Sequence, residues 1–263
     1  MALRGRLADG TLNPYTIRMT QDDIYQKKMT QIDDFRFDDK VARVFQDMIQ
    51  RSVPGYGMLL QAITLIAERY VPKDGTIYDL GCSLGAVAFA IRDYFGNQRQ
   101  RSCRIIAVDN STAMLQACHQ QLDRTAPGPC SIEFKLLDIQ QLPIHQASLV
   151  ILNFTLQFID PLQRHAMIER IYRGLLPGGA LVLSEKIAAT DNRSGDTWTD
   201  LHHRFKKAQG YSELEIAQKR SALEKVLIPE SLPVHQQRLH AVGFAHVTPI
   251  LQYFNFVSML AVK

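Results

Sequence analysis

Apolar residues between positions 41 and 70 recur with helical spacing. The first set is Val41, Val44, Phe45, Met48 and Ile49. Their i, i+3, i+4, i+7, i+8 pattern predicts one face of an amphipathic helix. Pro54-Gly55 is expected to end that helix, and a second apolar face runs from Leu59 to Tyr70. Two helices are therefore predicted before the first strand.

From residue 76 onward the pattern changes to short apolar runs that alternate with longer helical segments. The predicted strands are 76–80, 103–108, 132–137, 149–153 and 180–184. The predicted helices between them are 86–94, 113–122 and 164–175. Such β-α alternation is typical of a parallel sheet that helices cover on both faces. Pro177-Gly178-Gly179 is interpreted as a turn that precedes the last parallel strand.

The remaining segments predict a helical insert and an antiparallel pair. The insert covers residues 197–242, and two apolar runs, 246–252 and 253–262, follow with almost no linker. The pair is expected at the sheet edge, which gives a mostly parallel, seven-stranded, Rossmann-like α/β fold. Residues 1–34 are polar without sustained periodicity, so we expect a loose extension before one domain at 35–263.

Composition narrows the class of protein. The chain has 263 residues, 46% apolar and 21% charged, which are ordinary values for a globular domain. No apolar run reaches the ~18–20 residues that span a bilayer, and no signal-like segment is visible near the start. We expect a cytoplasmic protein without membrane contact. The four cysteines lack metal-ligand spacing, so reduced thiols and no metal are expected.

The charge balance fits a small anionic ligand at least as well as it fits nucleic acid. The formal net charge is +4 and the isoelectric point is about 8.9. Dedicated nucleic-acid binders are usually more basic. No direct nucleic-acid contact is therefore expected.

A glycine-containing loop joins the first predicted strand to a helix. Gly81 and Gly85 flank Cys82-Ser83-Leu84, and glycines there let backbone approach a ligand closely. The second strand ends at Asp109-Asn110, where a carboxylate can accept hydrogen bonds from both hydroxyls of a ribose. Ser111 is a candidate N-cap for the next helix. The same glycines also fit a plain tight turn between strand and helix.

The loop, Asp109 and the terminal strand pair together resemble the class I S-adenosyl-L-methionine-dependent methyltransferases. A Rossmann dehydrogenase fits less well, because the spacing of the loop is G-x-x-x-G and the G-x-G-x-x-G pattern of dehydrogenases is absent. Ser83 stands where many methyltransferases have glycine. The resemblance implies that Asp138 accepts a hydrogen bond from the adenine amino group and that Ile139 covers the ring. Asp138 could instead cap a loop. Asn153, which ends an apolar strand, either faces the cleft or forms an Asx turn.

Four longer stretches carry a closer resemblance, at 47–56, 78–85, 152–158 and 208–220. They are similar to the carboxy-S-adenosyl-L-methionine synthase family, over about residues 35–262. The resemblance implies that S-adenosyl-L-methionine and prephenate become carboxy-S-adenosyl-L-methionine and phenylpyruvate. The product would supply the carboxymethyl group of a tRNA wobble uridine through a separate enzyme. A homodimer is also implied.

The resemblance assigns the ligand-binding positions. They are Tyr56, Gly81, Cys82, Ser83, Asp109, Asn110, Asp138, Ile139 and Asn153, with Arg220 pairing with the extra carboxylate and serving as the catalytic candidate. A separate argument starts from Ser212-x-x-Glu215, a capping-box pattern that predicts a helix near Glu213. Arg220 then lies two turns into that helix, where its guanidinium either meets a carboxylate bidentately or is solvated.

Two further interpretations remain open from the sequence. One is an ordinary methyltransferase acting on a small anionic acceptor or on tRNA, and the other is a catalytically silent binding subunit with the same fold. The run His202, His203, Arg204, Lys206, Lys207 could attract a dianionic substrate. The same run also fits a solvated helix face.

Overall fold

The computed structural model describes residues 20–99 and 101–263, and its strands confirm the predicted alternation. Within these residues the strands are β1 (Gly75–Leu80), β2 (Cys103–Asp109), β3 (Cys130–Leu136), β4 (Ala147–Asn153), β5 (Leu175–Lys186), β6 (His246–Tyr253) and β7 (Phe256–Val262). The helices are α1 (Asp39–Ser52), α2 (Tyr56–Tyr70), α3 (Ala86–Tyr94), α4 (Thr112–Asp123), α5 (Pro161–Gly174), α6 (Asn192–Ala208), α7 (Glu213–Leu223) and α8 (Leu232–Ala241).

The strands form one mixed sheet in the order β3-β2-β1-β4-β5-β7-β6. The five strands β1 to β5 are parallel, whereas β7 runs antiparallel to β5 and β6 antiparallel to β7. The predicted terminal pair is therefore confirmed, with β6 outermost. All parallel strands end at one edge of the sheet, which is where open α/β folds bind ligands.

Two hydrophobic clusters cover the two faces of the sheet. Alternate β1 residues separate into them, because Ile77 belongs to the cluster beneath α2, α3 and α4, while Tyr78 belongs to the cluster beneath α5 and α8. Successive side chains of a strand point to opposite faces. The parallel strands are buried on both faces, so their sequences show continuous apolar runs rather than alternation.

Three predicted boundaries differ from the structure. β5 already begins at Leu175, so Pro177-Gly178-Gly179 lies within the strand, where Gly178 has a φ of 72° and the pairing register with β4 shifts. Lys263 explains this, because its backbone exchanges hydrogen bonds with Gly178 and Gly179. α5 begins at Pro161, where the Asp160 side chain caps the helix by accepting from the Leu162 amide. The helical insert begins at Asn192 rather than 197.

The segment from residue 20 to 34 contacts the domain along α7. Asp22 and Tyr25 are buried. The Gln218 side chain donates to the Tyr25 and Lys27 carbonyls and accepts from the Met29 amide. These polar contacts follow no apolar period, which is why the sequence suggested a loose extension for this part. Residues 1–19 of the predicted extension lie outside the described residues.

The cysteines depart from the expectation of four reduced thiols. Cys103 and Cys130 form a disulfide between β2 and β3. They face each other in the parallel register with Cα atoms 4.6 Å apart, which is within bonding range. Cys82 and Cys118 are free and buried.

None of the helices in the described residues is both long enough and apolar enough to span a membrane. Each is either too short or too polar to cross a bilayer.

Candidate active site

A cavity of about 290 Å³ lies at the carboxyl edge of the parallel strands. Nine of the ten predicted ligand-binding positions line this cavity, namely Tyr56, Gly81, Cys82, Ser83, Asp109, Asn110, Asp138, Ile139 and Asn153. These residues come from α2 and from the ends of β1, β2, β3 and β4. Parallel strands bring their carboxyl ends together, so positions nearly a hundred residues apart share one wall.

The glycine loop is held in a shape that only a small residue permits at its start. Gly81 has a φ of 75°, and a Cβ there would lie 2.4 Å from the Thr155 Cγ2 atom. The amides of Gly81 and Cys82 both donate to the Val108 carbonyl, at 2.8 and 3.0 Å. The loop of β1 is therefore pressed between the ends of β2 and β4. A ligand can approach its backbone closely.

Asp109 is held by the same loop. Its Oδ2 accepts from the Ser83 amide at 2.8 Å, and its Oδ1 accepts from the Ser111 amide at 2.9 Å. Burial raises the pKa of Asp109 above its ordinary value, although these amide hydrogen bonds oppose the shift. Each carboxylate oxygen can accept a second bond, so the group can receive two ribose hydroxyls. Ser111 caps α4 through the Met114 amide, as predicted.

Both interpretations of Asp138 are compatible with the structure, whereas Asn153 has an unpaired atom. Asp138 Oδ1 accepts from the Gln140 amide at 2.9 Å and the residue also lines the cavity. The neighbouring Ile139 is buried in the cavity wall. Asn153 Oδ1 has no hydrogen-bond partner among the described residues. A buried amide oxygen without a partner costs free energy, so a ligand donor would stabilise it.

Asp79, on β1, is a site residue that sequence reasoning missed. It lines the cavity, is 2% exposed, and its Oδ2 has no partner in the described chain. Burial, with the nearby Asp109 charge, raises the pKa of Asp79 to about 7. Burial and the Asp79 charge also raise the pKa of Tyr56. The available signal was a lone acidic residue in an otherwise apolar strand. A cationic ligand would find a titratable carboxyl here.

Aromatic side chains form a second wall that the sequence did not predict. Phe37 packs edge-to-face on Phe35, Phe45 and Phe158, with ring centroids 5.1–5.9 Å apart. All four rings line the cavity. Phe35 and Phe37 precede α1, and the Phe37 carbonyl accepts from the Ser111 hydroxyl at 2.6 Å. This wall gives the cavity an apolar surface opposite the strand ends.

The end of the cavity near β5 is cationic. Lys186, Lys206 and Lys219 line it, together with His202. Burial is the main cause that lowers the pKa of Lys206 to about 7, and the charges of Lys219, Lys186 and Arg220 add to it. Burial likewise lowers the pKa of His202 to about 3. Its Nε2 lies 2.9 Å from the Ser52 carbonyl, and because a carbonyl oxygen only accepts, the hydrogen of the ring is on Nε2.

Lys219 already has protein partners. Its Nζ donates to Ser52 Oγ at 2.9 Å and to Asp22 Oδ2 at 3.2 Å. Asp22 also accepts from the Tyr211 hydroxyl. The segment before α1 thus neutralises one of the three lysines.

Arg220 is exposed on α7, and it is the predicted site residue that the structure does not bring to the cavity wall. The helix itself forms as predicted, because Ser212 and Glu215 make both bonds of the capping box. Arg220 lies near the cationic end, since its charge contributes to the lowered pKa of Lys186, whose main cause is burial.

The predicted cationic run divides into two groups. His202 and Lys206 face the cavity. His203 and Lys207 pair with Glu213, and Arg204 pairs with Asp200, on the surface. The helical period therefore places one part of the run at the cavity and the other part on the solvated surface, and attraction of a dianionic substrate stays a prediction for the first part. No cluster of three or more metal-ligating side chains occurs in residues 20–99 and 101–263.

Known proteins resemble this chain in sequence over most of its length. A sequence profile described as a methyltransferase domain matches residues 77–179. A protein of Citrobacter koseri named carboxy-S-adenosyl-L-methionine synthase is 47% identical over 243 residues, covering 92% of this chain and 97% of that protein. A protein of the same name from Shewanella woodyi is 49% identical over 244 residues, covering 93% and 99%.

Solved structures support the fold at low sequence identity. Human N-acetylserotonin methyltransferase in complex with S-adenosyl-L-methionine has a TM-score of 0.56 at 17% identity, covering 86% of this chain and 55% of that chain. Magnesium protoporphyrin IX methyltransferase from Synechocystis has a TM-score of 0.55 at 16% identity, covering 82% and 84%. Both share the class I methyltransferase architecture described above.

Proposed function

Because this chain belongs to the carboxy-S-adenosyl-L-methionine synthase family, we propose that it converts S-adenosyl-L-methionine and prephenate into carboxy-S-adenosyl-L-methionine and phenylpyruvate. The observation that carries the proposal is one cavity with two unlike ends. Asp109, Asp138 and Asn153 offer acceptors suited to a nucleoside. Lys186 and Lys206 offer cations suited to an anionic second substrate.

The reaction balances without an external base. Prephenate aromatises by losing carbon dioxide and its ring hydroxyl as hydroxide, which leaves phenylpyruvate. The hydroxide removes a proton from the sulfonium methyl and becomes water. The resulting ylide carbon forms a new bond to carbon dioxide, and the product carries one carboxylate more than the donor.

This chemistry requires that water be kept from the reacting atoms. Bulk water would protonate the ylide, and an open site would lose the carbon dioxide. The aromatic wall of Phe35, Phe37, Phe45 and Phe158 and the insert helices α6 and α7 surround the cavity. A dry site also strengthens every electrostatic interaction within it.

The tRNA wobble-uridine role of the product, a cytoplasmic location and homodimerisation stay predictions. Exposed Met58 and Leu65 on α2 are consistent with a protein partner.

The proposed reaction is tested by incubating the purified protein with S-adenosyl-L-methionine and prephenate and analysing the products by mass spectrometry. We expect a donor heavier by one carbon dioxide, formed together with phenylpyruvate. Labelled bicarbonate without prephenate is the control and should give no labelled product, because the proposed reaction takes its carbon dioxide from prephenate. Transfer of an intact methyl group to a small acid or to tRNA would favour an ordinary methyltransferase instead.

Arg220 gives a second prediction. Replacing Arg220 by methionine should weaken binding of carboxy-S-adenosyl-L-methionine about tenfold, the loss of one charge-assisted hydrogen-bonded contact. Affinity for S-adenosylhomocysteine, which lacks the added carboxylate, should change less than about twofold. Calorimetry with both ligands measures the difference.

The matched control is Arg204→Met, because Arg204 is an exposed arginine of α6 that pairs with Asp200. It should leave both affinities unchanged. An equal loss for both ligands in the Arg220 variant would mean that Arg220 is structural. No loss for either ligand would leave it a solvated charge.

A further inference from the structure

The strand order separates the acidic and cationic ends of the cavity. Asp109 ends β2 and Lys186 ends β5, with β1 and β4 between them. Three strand spacings of ~4.8 Å place these two strands about 14 Å apart. The carboxylate of Asp109 and the ammonium group of Lys186 therefore belong to different subsites of one cavity.

Two lysines of the cationic end lack an acidic partner. In the part of the chain that the structure describes, no carboxylate forms an ion pair with Lys186 or Lys206. Lys219 differs, because Asp22, Ser52 and Tyr211 already occupy its ammonium group. The ammonium groups of Lys186 and Lys206 are thus unpaired, and they line the same cavity as Lys219, whose charge Asp22 neutralises.

Such an arrangement is costly unless an anion is bound. Like charges brought together in a low-dielectric cavity repel each other, and burial penalises each ammonium group separately. The pKa of both lysines is lowered, chiefly by burial, which is the expected signature of this cost. A bound dianion would relieve the repulsion and pair with both groups.

The neighbouring surface is apolar. Phe256, at the start of β7, and Leu227, after α7, line the cavity with the lysines. Phe256 is held edge-to-face against the His202 ring, with centroids 4.9 Å apart. Cations beside apolar side chains suit an organic acid with a carbon ring rather than inorganic phosphate.

We propose that Lys186 and Lys206 bind the two carboxylates of the second substrate, an organic dicarboxylate whose ring lies against Phe256 and Leu227. This inference rests on the proposed function, since it assigns the co-substrate to a defined subsite of that site.

The test replaces each lysine by glutamine, singly, and measures turnover and binding separately. The KM for prephenate should rise about 10–100-fold, the loss of one hydrogen-bonded charge contact. Calorimetric affinity for S-adenosylhomocysteine should stay within about twofold. Lys186→Arg and Lys206→Arg should restore part of the prephenate affinity, because they keep the charge. The control is Lys207→Gln, since Lys207 neighbours Lys206 but pairs with Glu213 on the surface.

Binding of malonate and of phenylpyruvate to the protein loaded with S-adenosylhomocysteine is measured as well, because it does not depend on turnover. Wild type should bind both acids, and each glutamine variant should bind the dicarboxylate malonate at least about tenfold more weakly. Phenylpyruvate has a single carboxylate, so only one of the two variants should weaken its binding to that extent. If wild type binds these acids but forms no carboxylated product, the proposed function fails while the subsite stands. If wild type binds neither acid, or if the variants match wild type, the subsite is wrong. Equal losses for the acids and for S-adenosylhomocysteine would also overturn it.

Discussion

Replacing Arg164 by methionine is expected to lower the free energy of unfolding by about 3–5 kcal/mol, as for other broken buried ion pairs. Arg164 lies on α5 and is fully buried. Its guanidinium pairs with Glu230 at 2.7 Å and donates to the Ile159 carbonyl at 2.9 Å. It also donates to the carbonyls of Gln157 and Ile228. Methionine fills much of the space but satisfies none of these acceptors.

The Arg164 network joins the helical insert to the sheet. It connects the segment before α8 to the turn after β4, whose Gln157 lines the cavity. Denaturant unfolding of wild type and variant measures the loss. The matched control is Arg173→Met, an exposed arginine on the same helix that pairs with Glu169. That change should cost at most about 0.5 kcal/mol. A loss below about 1 kcal/mol for Arg164→Met would show that the network is dispensable.

Asp79 is expected to make stability depend on pH. Its folded pKa, about 7, lies above the unfolded value of 3.8. Between these values the folded state holds a proton that the unfolded state has released. The stabilisation is therefore fully present below pH 3.8 and is lost as the pH rises through 7. Asparagine cannot titrate, so Asp79→Asn lacks this dependence.

The measurement is a difference between two proteins, because other buried groups titrate as well. Relative to wild type, Asp79→Asn should gain about 2–3 kcal/mol of stability between pH 5 and pH 8. Asp196→Asn, an exposed change on α6, is the control and should show the same difference from wild type at both pH values. A constant difference for Asp79→Asn would mean that this carboxyl is ionised throughout the range.

Much of the fold follows from local pattern, because burial on two faces produces the continuous apolar runs of β1, β2 and β4. The loop from Gly81 to Gly85 and the carboxylate of Asp109 were predictable because their roles depend on strand ends. The position of Lys186 in the cavity was not predictable from the sequence, since it follows from the order of β4, β5 and β7 in the sheet. Asp22 was missed for a similar reason, because it reaches Lys219 across most of the chain.

Predicted boundaries of helices and strands were wrong where tertiary contacts override the local sequence signals. The residues Pro177-Gly178-Gly179 have turn composition, and Gly178 does adopt a φ of 72°, yet backbone hydrogen bonds to Lys263 keep the segment within β5. Asp160 and Pro161 did carry a local signal for the start of α5, because proline is favoured in the first helical turn. At Arg220 the helix was predicted correctly, whereas the position of the side chain was not. Its helix formed as its capping box predicted, and its side chain is exposed rather than in the cavity wall.

The position of β7 between β5 and β6 has a consequence for synthesis on the ribosome. Ala180 pairs with Val262, so one edge of β5 has no partner until the last strand has emerged. The parallel strands β1 to β4 can assemble earlier, but the growing chain exposes an unpaired strand edge while the whole insert is translated. Such edges are templates for pairing with other chains. Nascent chains of this protein should therefore depend on chaperones more than its ordinary length suggests.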